Sequence, residues 1–118
     1  NLTVLVSHLG TPFLWKSGKK ILLLEDIGER GYRIDRYLTQ LKLSSAFKNI
    51  QAIVFGEFIG GQESDGKNHV EMALNDFADT VGVPCFRSHE FGHGNRNRPV
   101  VFGQEVKIYK NELRWESL

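Results

Sequence analysis

The 118-residue sequence predicts an α/β domain: a parallel sheet closed by an antiparallel terminal hairpin. Three observations carry that reading. Short uninterrupted apolar runs have the character of strands buried in a parallel sheet, helix-period patterns stand between them, and a period-two alternation ends the chain.

Taken in order, Leu2, Leu5, Val6 and Leu9 recur at helical spacing behind Asn1, a good N-cap type, and predict a short helix ending near Gly10; the TVLV run also permits a strand. Ile21–Leu24 follows a glycine turn and Lys19-Lys20, and reads as a strand buried on both faces. From Gly31, the positions of Ile34, Leu38 and Leu41 mark an amphipathic helix with Asp35, Arg36 and Gln40 on its polar side. Ile50–Phe55 is a second strand, closed by Gly56 and the acidic Glu57. A polar loop, GGQESDGKN, leads to a helix carrying Val70, Leu74, Phe77 and Val81, with Gly82 as its stop signal. Val83–Phe86 makes a third strand. Val106–Tyr109 and Leu113–Trp115 alternate around Lys110–Glu112 as a hairpin does. No repeat or linker divides the chain, so residues 1–118 read as a single domain.

Composition narrows the function classes. Hydrophobic content of 41% and charge of 25% describe an ordinary globular chain, and a formal net charge of +1 supplies no broad positive field for nucleic acid or an anionic membrane. Cys85 is the single cysteine, which removes an intrachain disulfide and fits a reducing compartment. No apolar run approaches the ~20 residues of a membrane span, and the opening residues lack the basic flank of a signal peptide. The abrupt start at Asn1 leads us to expect a preceding part.

Two constellations compete for the chemistry. His89-Glu90-Phe91-Gly92-His93 satisfies HExxH, in which two histidines one helical turn apart bind zinc and the glutamate acts as base. That chemistry needs a helix. Gly92, Gly94 and the following GNRNRP make a poor one, and a third ligand would have to come from Glu105, Glu112 or Glu116 on the hairpin or its flanks. A polar loop with an incidental pattern outweighs zinc on those grounds.

The stronger constellation pairs His93 with Glu25. Both stand after apolar strand runs, at the edge where a parallel sheet gathers its active-site loops, and a carboxylate there can hold an imidazole's tautomer. Asp26 and Glu29 compete with Glu25 for that role. A nucleophile is missing: no GxSxG elbow exists, and the serines at 7, 17, 44, 45, 64, 88 and 117 lack a strand–turn–helix setting. Cys85, behind Pro84 in an apolar strand, reads as a core residue.

These residues, ILLLEDIGERGYRIDRYLTQL with the opening NLTVLVSHLGTPF, the strand AIVFGEF and the loop FGHGNRNRPVVFG, resemble the C-terminal domain of the LD-carboxypeptidases, the S66 serine peptidases. The likeness runs in order over nearly the whole chain. It implies a three-layer swivelling β/β/α domain, with Glu25 and His93 matching the glutamate and histidine of a Ser-His-Glu triad. It also implies that the serine belongs to an N-terminal domain absent from this chain, that no cofactor or metal takes part, and that the isolated chain is inactive. The implied substrates are murein tetrapeptides, which lose a terminal D-alanine across an L,D bond during cell-wall recycling in the cytoplasm.

Candidates for substrate binding are Glu57, which closes the second strand with Phe58 at the same cleft, and Arg96, whose guanidinium suits a substrate carboxylate, with Arg98 beside it. Asp35 and Arg36 read as structural, and His8 and His69 carry no signal. A different class of reading is a non-catalytic interaction module in which a former domain interface pairs with another copy as a homodimer.

Overall fold

A computed structural model describes residues 1–15, 18–110 and 112–115. The chain runs through α1 (Leu2–Ser7), β1 (Lys20–Ile27), α2 (Gly31–Leu43), a 3-10 turn (Ser45–Asn49), β2 (Ile50–Ile59), α3 (Val70–Thr80), β3 (Cys85–Arg87), β4 (Val106–Tyr109) and β5 (Glu112–Trp115). Strands β1, β2 and β3 form a parallel sheet in that order, and β4 pairs with β5 as a separate antiparallel hairpin. The α/β class with its terminal hairpin is therefore as the sequence predicts.

The helices cover one face of the sheet. Leu22 and Leu24 of β1 and Ile53 and Phe55 of β2 share a buried cluster with Leu2 and Val6 of α1, Ile34, Leu38 and Leu41 of α2, and Leu74 and Phe77 of α3. Each large side chain buried there contributes about 1.5–3 kcal/mol, so hydrophobic stabilisation is concentrated on this side. On the opposite face, Leu23, Val54 and Phe86 look across a cavity of about 470 Å³ at Ile108, Leu113 and Trp115 of the hairpin. That gives three layers, hairpin over sheet over helices, and leaves the hairpin side loosely filled.

The asymmetry corrects one expectation. Strand β1 is not buried equally on both faces: Leu22, Leu24 and Asp26 are buried, whereas Ile21, Leu23 and Glu25 are only partly so. The reason is that β1 lies at the sheet's edge and its second face meets loops and a cavity rather than a helical layer. Central β2 comes closer to full burial, with Ala52 through Gly56 all buried. Both strands also run further than their apolar runs suggest. Glu25 lies within β1 rather than beyond it, and β2 continues through Gly56 and Glu57 to Ile59, whose carbonyl accepts from the Gly28 amide at 2.7 Å.

Period two sends the adjacent carboxylates of β1 to opposite faces. Asp26, only 3% exposed, points into the helical side and ties down α1. Its carboxylate accepts from Asn1 Nδ2 at 3.0 Å, from the Thr3 amide and hydroxyl at 2.8 Å each, and from its own neighbour's amide, Ile27, at 2.9 Å. Asn1 completes the cap, its Oδ1 accepting from the Val4 amide at 3.0 Å. The six-residue helix α1 is too short to persist on propensity alone. Asp26 fixes where it begins.

Candidate active site

The site is built on an irregularity in the parallel ladder. Leu24 pairs with Phe55 and Asp26 with Phe58, so the single residue Glu25 is opposed by both Gly56 and Glu57. This is a β-bulge, which re-aims the side chain of the inserted residue. Phe55 and Phe58 both remain on the helical side, their rings edge to face at 6.2 Å and both packed with the core cluster. Glu57 is thereby turned to the other face, alongside Glu25.

The loop after β3 lies over the bulge. The Ser88 amide donates to the Phe55 carbonyl at 2.8 Å and the Glu57 amide to the Phe91 carbonyl at 3.0 Å, while the Phe91 ring is 8% exposed. A Cβ at Gly56 would stand 2.5 Å from the Phe91 ring and 2.7 Å from its carbonyl oxygen, so only glycine lets the loop come this close. Gly56→Ala is therefore expected to lower stability by about 1–3 kcal/mol, read as a fall in the urea midpoint; an unchanged midpoint would mean that the loop relaxes without cost. In the sequence Gly56 closes an apolar run and reads as a strand stop. In the fold it is the landing place of the loop.

Within that loop, His93 Nδ1 meets Glu25 Oε2 at 2.6 Å, across 68 residues of sequence. The carboxylate side chain is 13% exposed and the imidazole 45%. An ionised Glu25 can only accept, which places the proton on Nδ1 and leaves the Nε2 lone pair for a reacting group. Gly92, at φ +118°, supplies the backbone freedom for this turn. The pair borders a cavity of about 410 Å³ whose walls include Leu23, Phe91, Asn97, Arg98 and Phe102. The backbone nitrogen of Asn1 lies 3.3 Å from the second oxygen of Glu25.

Of the three acidic candidates near the end of β1, Glu25 alone reaches a histidine. Asp26 is committed to α1, and Glu29 pairs with Arg33 at 3.3 Å, one helical turn along. Glu57 meets His89 Nδ1 at 2.6 Å. Arg96 is 77% exposed with Glu90 at 3.5 Å, and Arg98 pairs with the same carboxylate.

The zinc reading is corrected by this geometry. Residues 89–93 form a bent loop rather than a helix, His89 and His93 turn to two different glutamates, and Glu90 is taken up by two arginines. Among the described residues no group of three or more His, Cys, Asp or Glu side chains could hold a metal ion. Glu112 pairs with Arg114 at 3.0 Å; Glu116, Ser17 and Ser117 lie outside the described residues. Among the described residues no serine or cysteine hydrogen-bonds His93. The Ser7 and Ser44 hydroxyls donate to helix carbonyls at 2.7 Å, and Ser88 accepts from the Glu90 amide at 3.2 Å. Burial pushes the Cys85 thiol up, away from the reactive thiolate.

Sequence reasoning missed the Glu57–His89 contact. Its signal was present in duplicate: an acidic residue follows each of two neighbouring strand runs, LLLE and VFGE, and two histidines stand in one later loop. In the sequence His89 stands out only through the HExxH spacing, and setting that motif aside leaves it without a partner.

Comparison with known proteins gives a consistent picture. The sequence model of the LD-carboxypeptidase C-terminal domain matches residues 1–108. The murein tetrapeptide carboxypeptidase of Pseudomonas aeruginosa is 34% identical over 116 residues, covering 98% of this chain and 38% of that protein. The crystal structure of muramoyltetrapeptide carboxypeptidase from Oxalobacter formigenes superposes with a TM-score of 0.72 at 33% identity, over 82% of this chain and 35% of the other. The microcin C7 self-immunity protein shares the fold at a TM-score of 0.58 and 22% identity, over 76% of this chain and 27% of its own. The chain spans about a third of the length of the curated relatives it matches.

Proposed function

The chain belongs to the LD-carboxypeptidase C-terminal domain family, and from that premise we propose that it supplies the general-base half of a serine carboxypeptidase acting on murein tetrapeptides. The observation that carries the proposal is the 2.6 Å contact between Glu25 and His93. The names of the relatives, murein tetrapeptide carboxypeptidase and muramoyltetrapeptide carboxypeptidase, support the substrate class.

In this mechanism Glu25 holds the Nδ1–H of His93 and stabilises the imidazolium as it forms. The free Nε2 takes the proton of a serine hydroxyl as the oxygen attacks the carbonyl before the terminal D-alanine, and returns that proton to the leaving amine. Water then repeats the sequence to release the shortened peptide. The serine comes from a further, N-terminal domain outside this chain. Phe102, 84% exposed and lining the same cavity as the dyad, provides apolar surface for that domain to cover.

General acid–base transfer contributes roughly 10²–10⁴-fold, and none of it is realised without a nucleophile within reach. The isolated chain is accordingly expected to be inactive. Incubation with murein tetrapeptide, with D-alanine followed by a coupled oxidase, checks this: release well above that of a His93→Ala control would overturn the proposal that the nucleophile lies elsewhere. Among the described residues no helix is long and apolar enough to cross a membrane. We place the reaction in the cytoplasm, where murein fragments are recycled.

A further inference from the structure

A dyad on a glycine-bracketed turn raises a problem of its own. Gly92 and Gly94 give the backbone around His93 more freedom than any other residue would, and the single contact to Glu25 fixes the ring but not the chain that carries it. Something else must hold the turn.

Glu57 touches that turn in three ways. Its amide donates to the Phe91 carbonyl at 3.0 Å, which anchors the chain two residues before His93. Its aliphatic stem lies beneath both flanking glycines: a Cβ built at Gly92 would stand 3.1 Å from Glu57 Cβ, and one at Gly94 would stand 2.9 Å from Glu57 Cγ. Its carboxylate is held at 2.6 Å by His89, from the start of the same loop. One side chain therefore braces the segment from His89 to Gly94 from below, and it reaches that position only through the bulge opposite Glu25.

We propose that Glu57 and His89 form a second carboxylate–imidazole pair that holds the Gly92-His93-Gly94 turn in place, making Glu57 a positioning residue for His93; this rests on reading Glu25 and His93 as the general-base dyad. The pair's task is orientation rather than stability. His89 is 70% exposed, and an ion pair so open to water adds little to folding. A pinned carboxylate nevertheless keeps the stem beneath both glycines, and errors of about 1 Å in placing a catalytic group are enough to cost on the order of 10²-fold in rate.

Long-range ¹⁵N–¹H spectra of the histidine rings in this chain test the proposal without requiring activity. In the unaltered chain His93 is expected to show widely separated Nδ1 and Nε2 resonances, the signature of one tautomer. Glu57→Ala should collapse that separation toward the averaged value of a free imidazole. His89→Ala should do so in part, and Glu57→Gln, whose carboxamide oxygen can still accept from His89, should restore it. Amide spectra of α2 and α3 report whether each variant is folded, and because His89 is exposed its replacement decides the matter should Glu57→Ala unfold. Glu25→Ala serves as the reference: it should collapse the separation in every case. If Glu25→Ala collapses the His93 signal while Glu57→Ala and His89→Ala leave it intact, the positioning role is overturned and the dyad stands. If Glu25→Ala has no effect, the dyad reading fails first and takes this inference with it.

Discussion

His93→Ala, made in a protein that joins this domain to a serine nucleophile as we propose, is expected to lower kcat for D-alanine release by roughly 10³–10⁴-fold while leaving KM within a fewfold of its original value. The split follows from what the imidazole does. In the proposed mechanism it moves a proton in the transition state, so its removal is felt in the chemical step. Glu25→Gln should fall in the same direction, because a carboxamide presents the wrong partner to Nδ1–H in one of its two orientations and cannot stabilise an imidazolium as a carboxylate does. Steady-state kinetics on murein tetrapeptide would check both variants. A KM effect with kcat preserved would mean that His93 binds substrate rather than transferring protons.

The second large effect concerns folding. Asp26→Ala is expected to cost about 3 kcal/mol, since hydrogen bonds to a charged group are worth about 1.5–3 kcal/mol each and the buried donors left behind are only partly recovered by water. Four donors lose their acceptor at once: Asn1 Nδ2, the Thr3 amide and hydroxyl, and the Ile27 amide. For a domain of this size the corresponding fall in Tm is on the order of 10 °C, measurable by calorimetry. A loss below about 1 kcal/mol would show that solvent caps α1 equally well. Asp26 and Glu25 thus make a clean contrast: neighbours in sequence and alike in chemistry, one tying down α1 and the other, in the proposed mechanism, serving reactivity.

Much of this was legible in the sequence because it was periodic. Ile34, Leu38 and Leu41 spelled out the buried stripe of α2, Asn1 announced a helix start, and the alternation from Val106 to Trp115 announced the hairpin. The Glu25–His93 pairing was legible for a different reason, namely that parallel topology gathers the segments following its strands at one edge. What stayed hidden was aperiodic. A bulge inserts one residue without any compositional mark, so Gly56-Glu57 read as the end of a strand when the strand in fact runs on to Ile59. The unequal faces of β1 were hidden too, since four consecutive apolar residues look alike whether a helix or a half-empty cavity lies opposite.

The bulge has one more implication, for how such a site can arise. With Phe55 and Phe58 both facing the helices, Gly56 alone would suffice to step from one to the other. A chain lacking residue 57 would pair Leu24 through Asp26 with β2 in even step, with its core in register. The extra residue is thus an insertion that the hydrophobic interior does not register: it adds a second carboxylate to the open face of the sheet without displacing a core side chain.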